Sequence, residues 1–187
     1  MLRPLLHVVL TALLLLVFPQ GSWATSSVIV QSVGFPVDLA SDLASVALHT
    51  CRDQGASVSV SVVDAQGRLQ VMLMGDHAAP HTTELSRHKA YTAVSLAALQ
   101  GVHTTSELAE AMRLSKAPIG LLPLPADRIE GITPVPGGVV LRTSDSTQLL
   151  GGVGVSGARQ GQLDEQCALA AEQWLLSQLD QALSPGT

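Results

Sequence analysis

Apolar positions along this chain change their spacing from block to block. Leu39, Leu43, Val46 and Thr50 keep i, i+4, i+7 spacing, which predicts a helix over about 39–54 with Asp38 as its N-cap and Gly55 as its stop. The pattern then switches to strict alternation. Val58-Ser59-Val60-Ser61-Val62-Val63 and Arg68-Leu69-Gln70-Val71-Met72-Leu73 flank Asp64-Ala65-Gln66-Gly67, so a β-hairpin is expected with Gly67 at positive φ. Past a small, polar loop at Gly75–Thr83, an Ala- and Leu-rich stretch predicts a helix over about 83–99. A shorter helix over about 105–114 opens on Thr104-Thr105-Ser106-Glu107, a capping-box pattern.

Residues 115–136 carry Pro118, Pro123, Pro125, Pro134 and Pro136, a density that forbids a long helix or a central strand. Apolar residues such as Ile119, Leu122, Ile129 and Ile132 make it an ordered loop packed on the body. Gly138–Thr143 and Leu149–Ser156 are two further strands joined at Ser144-Asp145-Ser146. The last helix is expected from about Asp164 to Leu183, with Ala168, Ala171, Leu175, Leu179 and Ala182 as its buried stripe. The order helix–hairpin–helices–hairpin–helix is an α+β arrangement, with an antiparallel sheet covered by helices.

The N-terminal segment stands apart. Arg3 is the only charge in residues 1–24, and Leu5 to Phe18 is apolar. Pro19-Gln20-Gly21 breaks that run, and Ser22-Trp23-Ala24 places small residues for a cut after Ala24. This reads as a cleaved secretory signal peptide, so the mature protein, residues 25–187, is expected as one periplasmic or secreted domain. No later stretch reaches the roughly 18 apolar residues of a membrane span. The full chain of 187 residues has a net charge of −5, and an acidic chain without clustered Lys and Arg argues against a nucleic-acid partner. Beyond Ala24 the aromatic residues are Phe35, Tyr91 and Trp174, too few for stacking platforms. Export permits a disulfide between Cys51 and Cys167, but two buried thiols fit the sequence equally well.

Gly152-Val153-Gly154-Val155-Ser156-Gly157 matches G-x-G-x-x-G, the dinucleotide fingerprint. That fingerprint needs a strand-to-helix turn inside a βαβ unit, whereas these glycines sit inside a strand and no strand follows the last helix. Glycines in a strand mean instead that another backbone, or a flat ligand, comes close. A serine-hydrolase elbow is absent. Asp164 and Glu165 are adjacent on a helix and point about 100° apart, so they do not form an acid/base dyad; capping and the helix dipole account for them.

Several segments in order resemble one known family. They are Val58–Leu69, Lys89-Ala90-Tyr91-Thr92-Ala93, Gly131–Val139, Gly152–Gly157 and Asp164-Glu165-Gln166-Cys167-Ala168. Together they resemble the GlcG/HbpS haem-binding family, which includes the C-terminal domain of PduO-type cobalamin adenosyltransferases, over about residues 36–176. The resemblance implies an antiparallel sheet of about five strands, homo-oligomeric assembly, and a link to haem, corrinoid metabolism or glycolate utilisation. One departure is local. Where the family has an Arg-Met-Asp-Gly-Ala stretch, this chain has Leu73-Met74-Gly75-Asp76-His77-Ala78, so a role resting on that Arg does not carry over.

Haem iron takes an imidazole, and the macrocycle needs apolar walls and cations for its propionates. His49, beside the apolar stripe of the first helix, and His88, within Arg87-His88-Lys89, are the axial-ligand candidates. Arg87 and Lys89 are the propionate candidates, and Gly152 and Gly154 would form a smooth wall with the proline-rich loop. His77 and His81, split by Pro80, and His103 read as ordinary loop and helix-end residues. The expected function is an exported, oligomeric binding protein for haem or a related tetrapyrrole. Two rivals stay open: an enzyme or accessory factor for a small carboxylate, and a structural oligomer without ligand.

Overall fold

In a computed structural model that describes residues 33–114 and 129–183, the spacing rules above are largely obeyed. The expected signal peptide and its cut after Ala24, and Pro118, Pro123 and Pro125 of the proline-rich segment, lie outside those residues.

Helix α1 (Val37–Asp53) leads into strands β1 (Ser59–Asp64) and β2 (Leu69–Met74). They form the expected hairpin, with Gly67 at φ 77° and the Asp64 carboxylate accepting the backbone N–H groups of Gln66 and Arg68 at 2.9 Å. Helix α2 (His81–Thr92) continues through a π-helical segment, Ala93–Ala97, to a closing turn, α3 (Ala98–Gln100). Then follow α4 (Thr105–Leu114), β3 (Gly138–Arg142), β4 (Leu149–Ser156) and α5 (Gly161–Leu183). The capping box at α4 is formed as read: Glu107 N–H donates to Thr104 Oγ1 at 3.2 Å, and the Glu107 carboxylate accepts from Thr104 N–H at 3.3 Å.

Among the described residues the sheet holds four antiparallel strands in the order β2-β1-β4-β3, in keeping with the about five that the family resemblance implied. Three helix starts differ. Helix α1 begins at Val37 after Pro36, so Asp38 is not the N-cap but a first-turn acid facing the helix dipole. Helix α2 begins at His81 after Pro80, and α5 begins at Gly161, ahead of Asp164. The predicted stripe of α5 holds through Ala168, Ala171 and Leu175, which are fully buried, but Ala182 is exposed.

Helices α1 and α5 cover one face of the sheet. Leu43, Ala44 and Ala47 meet Val60, Val62, Val153 and Val155, with Ala171 and Leu175 completing an aliphatic core. Cys51 and Cys167 are disulfide-bonded there, closing α1 against α5 across 116 residues of chain. Helix α2 lies on the opposite face, and its chemistry is unlike that of α1. Its buried residues are Thr82, Ser86, Lys89, Ala90 and Thr92. The strip below it is Ser59, Ser61, Gly138, Gly152 and Gly154, nearly without side chains. Ser59 hydrogen-bonds Thr82, and Ser61 hydrogen-bonds Ser86, each at 2.8 Å. A Cβ at Gly154 would stand 2.1 Å from the Ser86 carbonyl oxygen and 2.5 Å from the Ala90 nitrogen; one at Gly152 would stand 2.7 Å from the Ala90 oxygen. Of the two partners that strand glycines admit, the structure supplies a backbone.

Gly154→Ala should therefore destabilise the protein by about 2–4 kcal/mol in urea unfolding, because two backbone segments must separate. Gly34→Ala, where a Cβ would have nothing within 4 Å, serves as the near-neutral control. Equal stabilities would contradict the close approach. Cys51→Ala/Cys167→Ala should lower stability by about 2–4 kcal/mol, since the bond restrains a long loop in the unfolded chain. Reductant should shift the unfolding midpoint of the parent and leave that of the double variant unmoved.

Candidate functional site

The residues singled out as ligand candidates do not converge. His49 is exposed on α1, and it lines none of the clefts described below. His88 is partly exposed on α2, with Arg87 donating to its Nε2 at 3.0 Å and Glu84 at 3.7 Å. Arg87 itself is paired with Glu84 at 3.0 Å. Lys89 is not a solvated cation: it is 2% exposed, donating to Asp164 Oδ2 and to the Val155 carbonyl, both at 2.8 Å. Gly152 and Gly154 are covered by α2, so the expected ring-binding wall between sheet and helix is occupied by the helix.

What the fold does build is a run of adjoining hollows at one end of the sheet, where α1 finishes and α2 and α5 begin. One cleft of about 370 Å³ is bounded by His81, Thr82, Lys89, Pro136, Ser156 and the first turn of α5. It shares Ala79, Gly157 and Ala158 with a neighbour of about 460 Å³, which adds His77, Arg159 and Leu163. The second shares Gly55, Ala56 and Ser57 with a third, of about 300 Å³, bordered by Arg52 and Asp76. Each falls within the roughly 300–1,000 Å³ common for small-molecule sites.

Local sequence explains the walls. Gly55, at φ 76°, ends α1 and turns the chain toward β1. The Ser57 hydroxyl donates to the Asp76 carbonyl and pins the loop between β2 and α2. His77 sits in that loop at φ 64°, a left-handed conformation uncommon outside glycine and more accessible to His, Asn and Asp than to most residues. Pro80 then starts α2 and presents His81 at its first turn. The side chains of Arg52, Arg159, His77 and His81 make no hydrogen bond or ion pair among the described residues. Two imidazoles and two cations are thus left for solvent or a ligand around one run of clefts.

Asp164 and Glu165 leave this end tied to the rest of the molecule. Asp164 takes the Lys89 ammonium through Oδ2 and the Ala158 N–H through Oδ1, at 2.9 Å. Glu165 accepts the Ser106 hydroxyl at 2.5 Å and the Gly137 N–H at 3.2 Å, fastening α4 and the loop before β3 to α5. Capping and the helix dipole, which account for this pair in the sequence, do not include these long-range contacts. The Lys89–Asp164 contact spans 75 residues, and no local spacing encodes it, although both partners lie in segments that carry the family resemblance. Ser156 was missed for the same reason. It is 2% exposed, borders the 370 Å³ cleft, and its hydroxyl has no hydrogen-bond partner among the described residues.

His103, read as a helix-end residue, donates from Nε2 to the Glu172 carboxylate at 2.9 Å and so ties the start of α4 to α5. That hydrogen bond raises the imidazole pKa above its ordinary value, against burial, which lowers it. Among the described residues no three His, Cys, Asp or Glu side chains gather as a metal site, and no helix is long and apolar enough to cross a membrane.

The family of haem degrading, HbpS-like proteins matches residues 35–173. Among solved structures, HbpS is 34% identical over 81% of this chain and 97% of its own, with a TM-score of 0.68. A double variant of HbpS from Streptomyces reticuli is 33% identical over 81% of this chain and 94% of its own, also at 0.68. PduOC in complex with haem is 27% identical over 75% of this chain and 94% of its own, at 0.62. No curated protein matches the chain.

The His103–Glu172 pair predicts a pH dependence of stability. A histidine with a raised folded pKa holds its proton more tightly folded than unfolded, so its stabilisation is complete below the ordinary value of about 6.5 and is lost as pH rises through the raised value. The urea midpoint should fall across that window. The change should be modest, because solvent screens a side chain that is 43% exposed. Glu172→Gln should remove this component, and an unchanged pH profile in that variant would refute the assignment.

Proposed function

Because the chain belongs to the HbpS-like haem degrading protein family, we propose that it is a small-molecule binding protein whose ligand is haem or a related tetrapyrrole. The observation that carries the reading is the run of clefts with unpaired imidazoles and guanidinium groups on its rim. His77 and His81 border adjoining hollows, and Arg159 and Arg52 stand beside them without partners among the described residues. Haem would bring an iron that takes an imidazole nitrogen, and two propionates that favour cations. The chain's part is to position His77 or His81 toward the iron and to keep the arginines free for the carboxylates. His49 and His88, the candidates from the sequence, border none of these three clefts. The haem complex of PduOC, a protein of the same fold, adds support.

This reading includes export of a single domain after removal of residues 1–24, and assembly into a homo-oligomer. The oligomer is supported by the sheet edge. Leu69, Met72 and Met74 of β2 are 46%, 44% and 49% exposed, and their pairing with Val63, Ser61 and Ser59 puts all three on one face.

Hemin titration of the purified protein should give a saturable Soret shift at one equivalent. His77→Ala or His81→Ala should change the band and weaken binding about tenfold or more, whereas His49→Ala and His88→Ala should behave like the parent. No saturable shift refutes the haem reading. A loss confined to His49→Ala or His88→Ala moves the ligand away from these clefts.

A further inference from the structure

The smaller of the two histidine-lined clefts contains more than a histidine. Its lining brings together the first turn of α5, at Gly161 and Gln162, the buried Lys89–Asp164 pair, and Ser156. We infer that this cleft is a carboxylate-binding subsite, with Ser156 Oγ, one N–H of Lys89 and the free N–H groups at the start of α5 as its donors. Its application to haem propionates rests on the reading above; its application to a free carboxylate does not.

Each donor is available for a stated reason. The first N–H groups of an α-helix have no partner within the helix, and the helix dipole gives that end partial positive charge. Helix α5 is 23 residues long, and among the described residues no side chain accepts from the Gly161 or Gln162 N–H. A helix end alone would not make a site. Ser156 supplies the independent observation: a hydroxyl in a residue 2% exposed, bordering the cleft, with no partner among the described residues. The oxygen itself stays accessible from the cleft, so a ligand acceptor there can take the place of water on a hydroxyl that no protein group satisfies. Lys89 has three N–H donors, and two are used, on Asp164 and Val155.

Charge favours one ligand class. Asp164 stands at the same helix end, and unopposed it would repel an anion. Lys89, only 3% exposed as a side chain, lies 2.8 Å from it and cancels it. The helix dipole and the hydroxyl then tip the balance toward a single negative charge. A carboxylate suits this arrangement because its two oxygens can divide four neighbouring donors. The cleft also offers carbon surface, from Leu85, Val135, Pro136 and Ala158, for the part of the ligand behind the carboxylate.

Two sources share this chemistry, a haem propionate and a free small carboxylic acid, and the test separates them. Propionate ion would be titrated into isotopically labelled protein while the Gly161 and Gln162 amide signals are followed. Saturable shifts there, abolished in Ser156→Ala, support the subsite without any reference to haem. Hemin and hemin dimethyl ester would be titrated in parallel. If the ester binds about tenfold more weakly, and Ser156→Ala removes that difference, the carboxylate is the haem propionate. If ester and acid bind alike while propionate ion still shifts the amides, the source is a free acid. Failure of hemin to bind sinks the haem reading alone, since the propionate-ion arm still reports on the subsite. Absence of amide shifts in the parent with propionate ion, together with equal binding of hemin and its dimethyl ester by the parent, overturns the inference. The measurements on the parent decide this without relying on the folding of any variant.

Discussion

Direct contact between the α2 backbone and a sheet strip without side chains is the constraint on which the remaining structure depends. An ordinary helix-on-sheet layer interleaves aliphatic side chains across about 10 Å. Here Gly138, Gly152 and Gly154 let the helix descend until its carbonyls would touch any added Cβ. A helix so close cannot carry Leu or Ile on its inner face, so it carries Thr82, Ser86 and Ala90. Those hydroxyls then need partners, and Ser59 and Ser61 supply them from β1. The serines that alternate with valines in β1 are thus matched to the second layer, while Val60 and Val62 serve the first.

Lys89 extends the same logic into electrostatics. A buried ammonium is tolerated only with its charge and hydrogen bonds answered, and removing one partner of such a pair costs about 3–5 kcal/mol. Asp164 answers the charge from the first turn of α5, and the Val155 carbonyl answers a second N–H from β4. One side chain therefore joins both helical layers through the sheet end. The disulfide acts at the same end from the other side, binding the last turn of α1 to α5. The clefts are bounded by three elements held to one another by covalent, ionic and close-packed contacts.

How far this was legible in the sequence depends on the range of the interaction. The hairpin turn at Asp64–Gly67, the capping box at Thr104–Glu107 and the alternation of β1 are encoded within a few residues, and the structure reproduces them. Relations between distant segments were legible only as alternatives. The strand glycines called for a backbone or a flat ring, and the cysteines for a bridge or two thiols; in each case the deciding partner lay on another element. The site was the least legible part. His77 and His81 looked like loop residues because Pro80 broke their spacing, yet a proline that starts a helix brings one histidine into each of two adjoining clefts. Lys89 looked like part of a basic surface cluster, because its burial is set by residues 66 and 75 positions away.

The clefts form where the close packing ends. Along α2 the helix sits on the sheet and excludes everything else. At its N-terminal end β4 gives way to Gly157, at φ 140°, and the chain turns from Ser156 into the loop before α5. Ser156 is the last position of the small-residue strip, and the first whose hydroxyl no helix side chain meets: Ser59 has Thr82 and Ser61 has Ser86, while Ser156 has the cleft. The close-packed strip continues past its covering helix by one polar residue. A ligand group there would complete the hydroxyl pairing that α2 completes elsewhere, so ligand recognition in this fold reads as an extension of its packing.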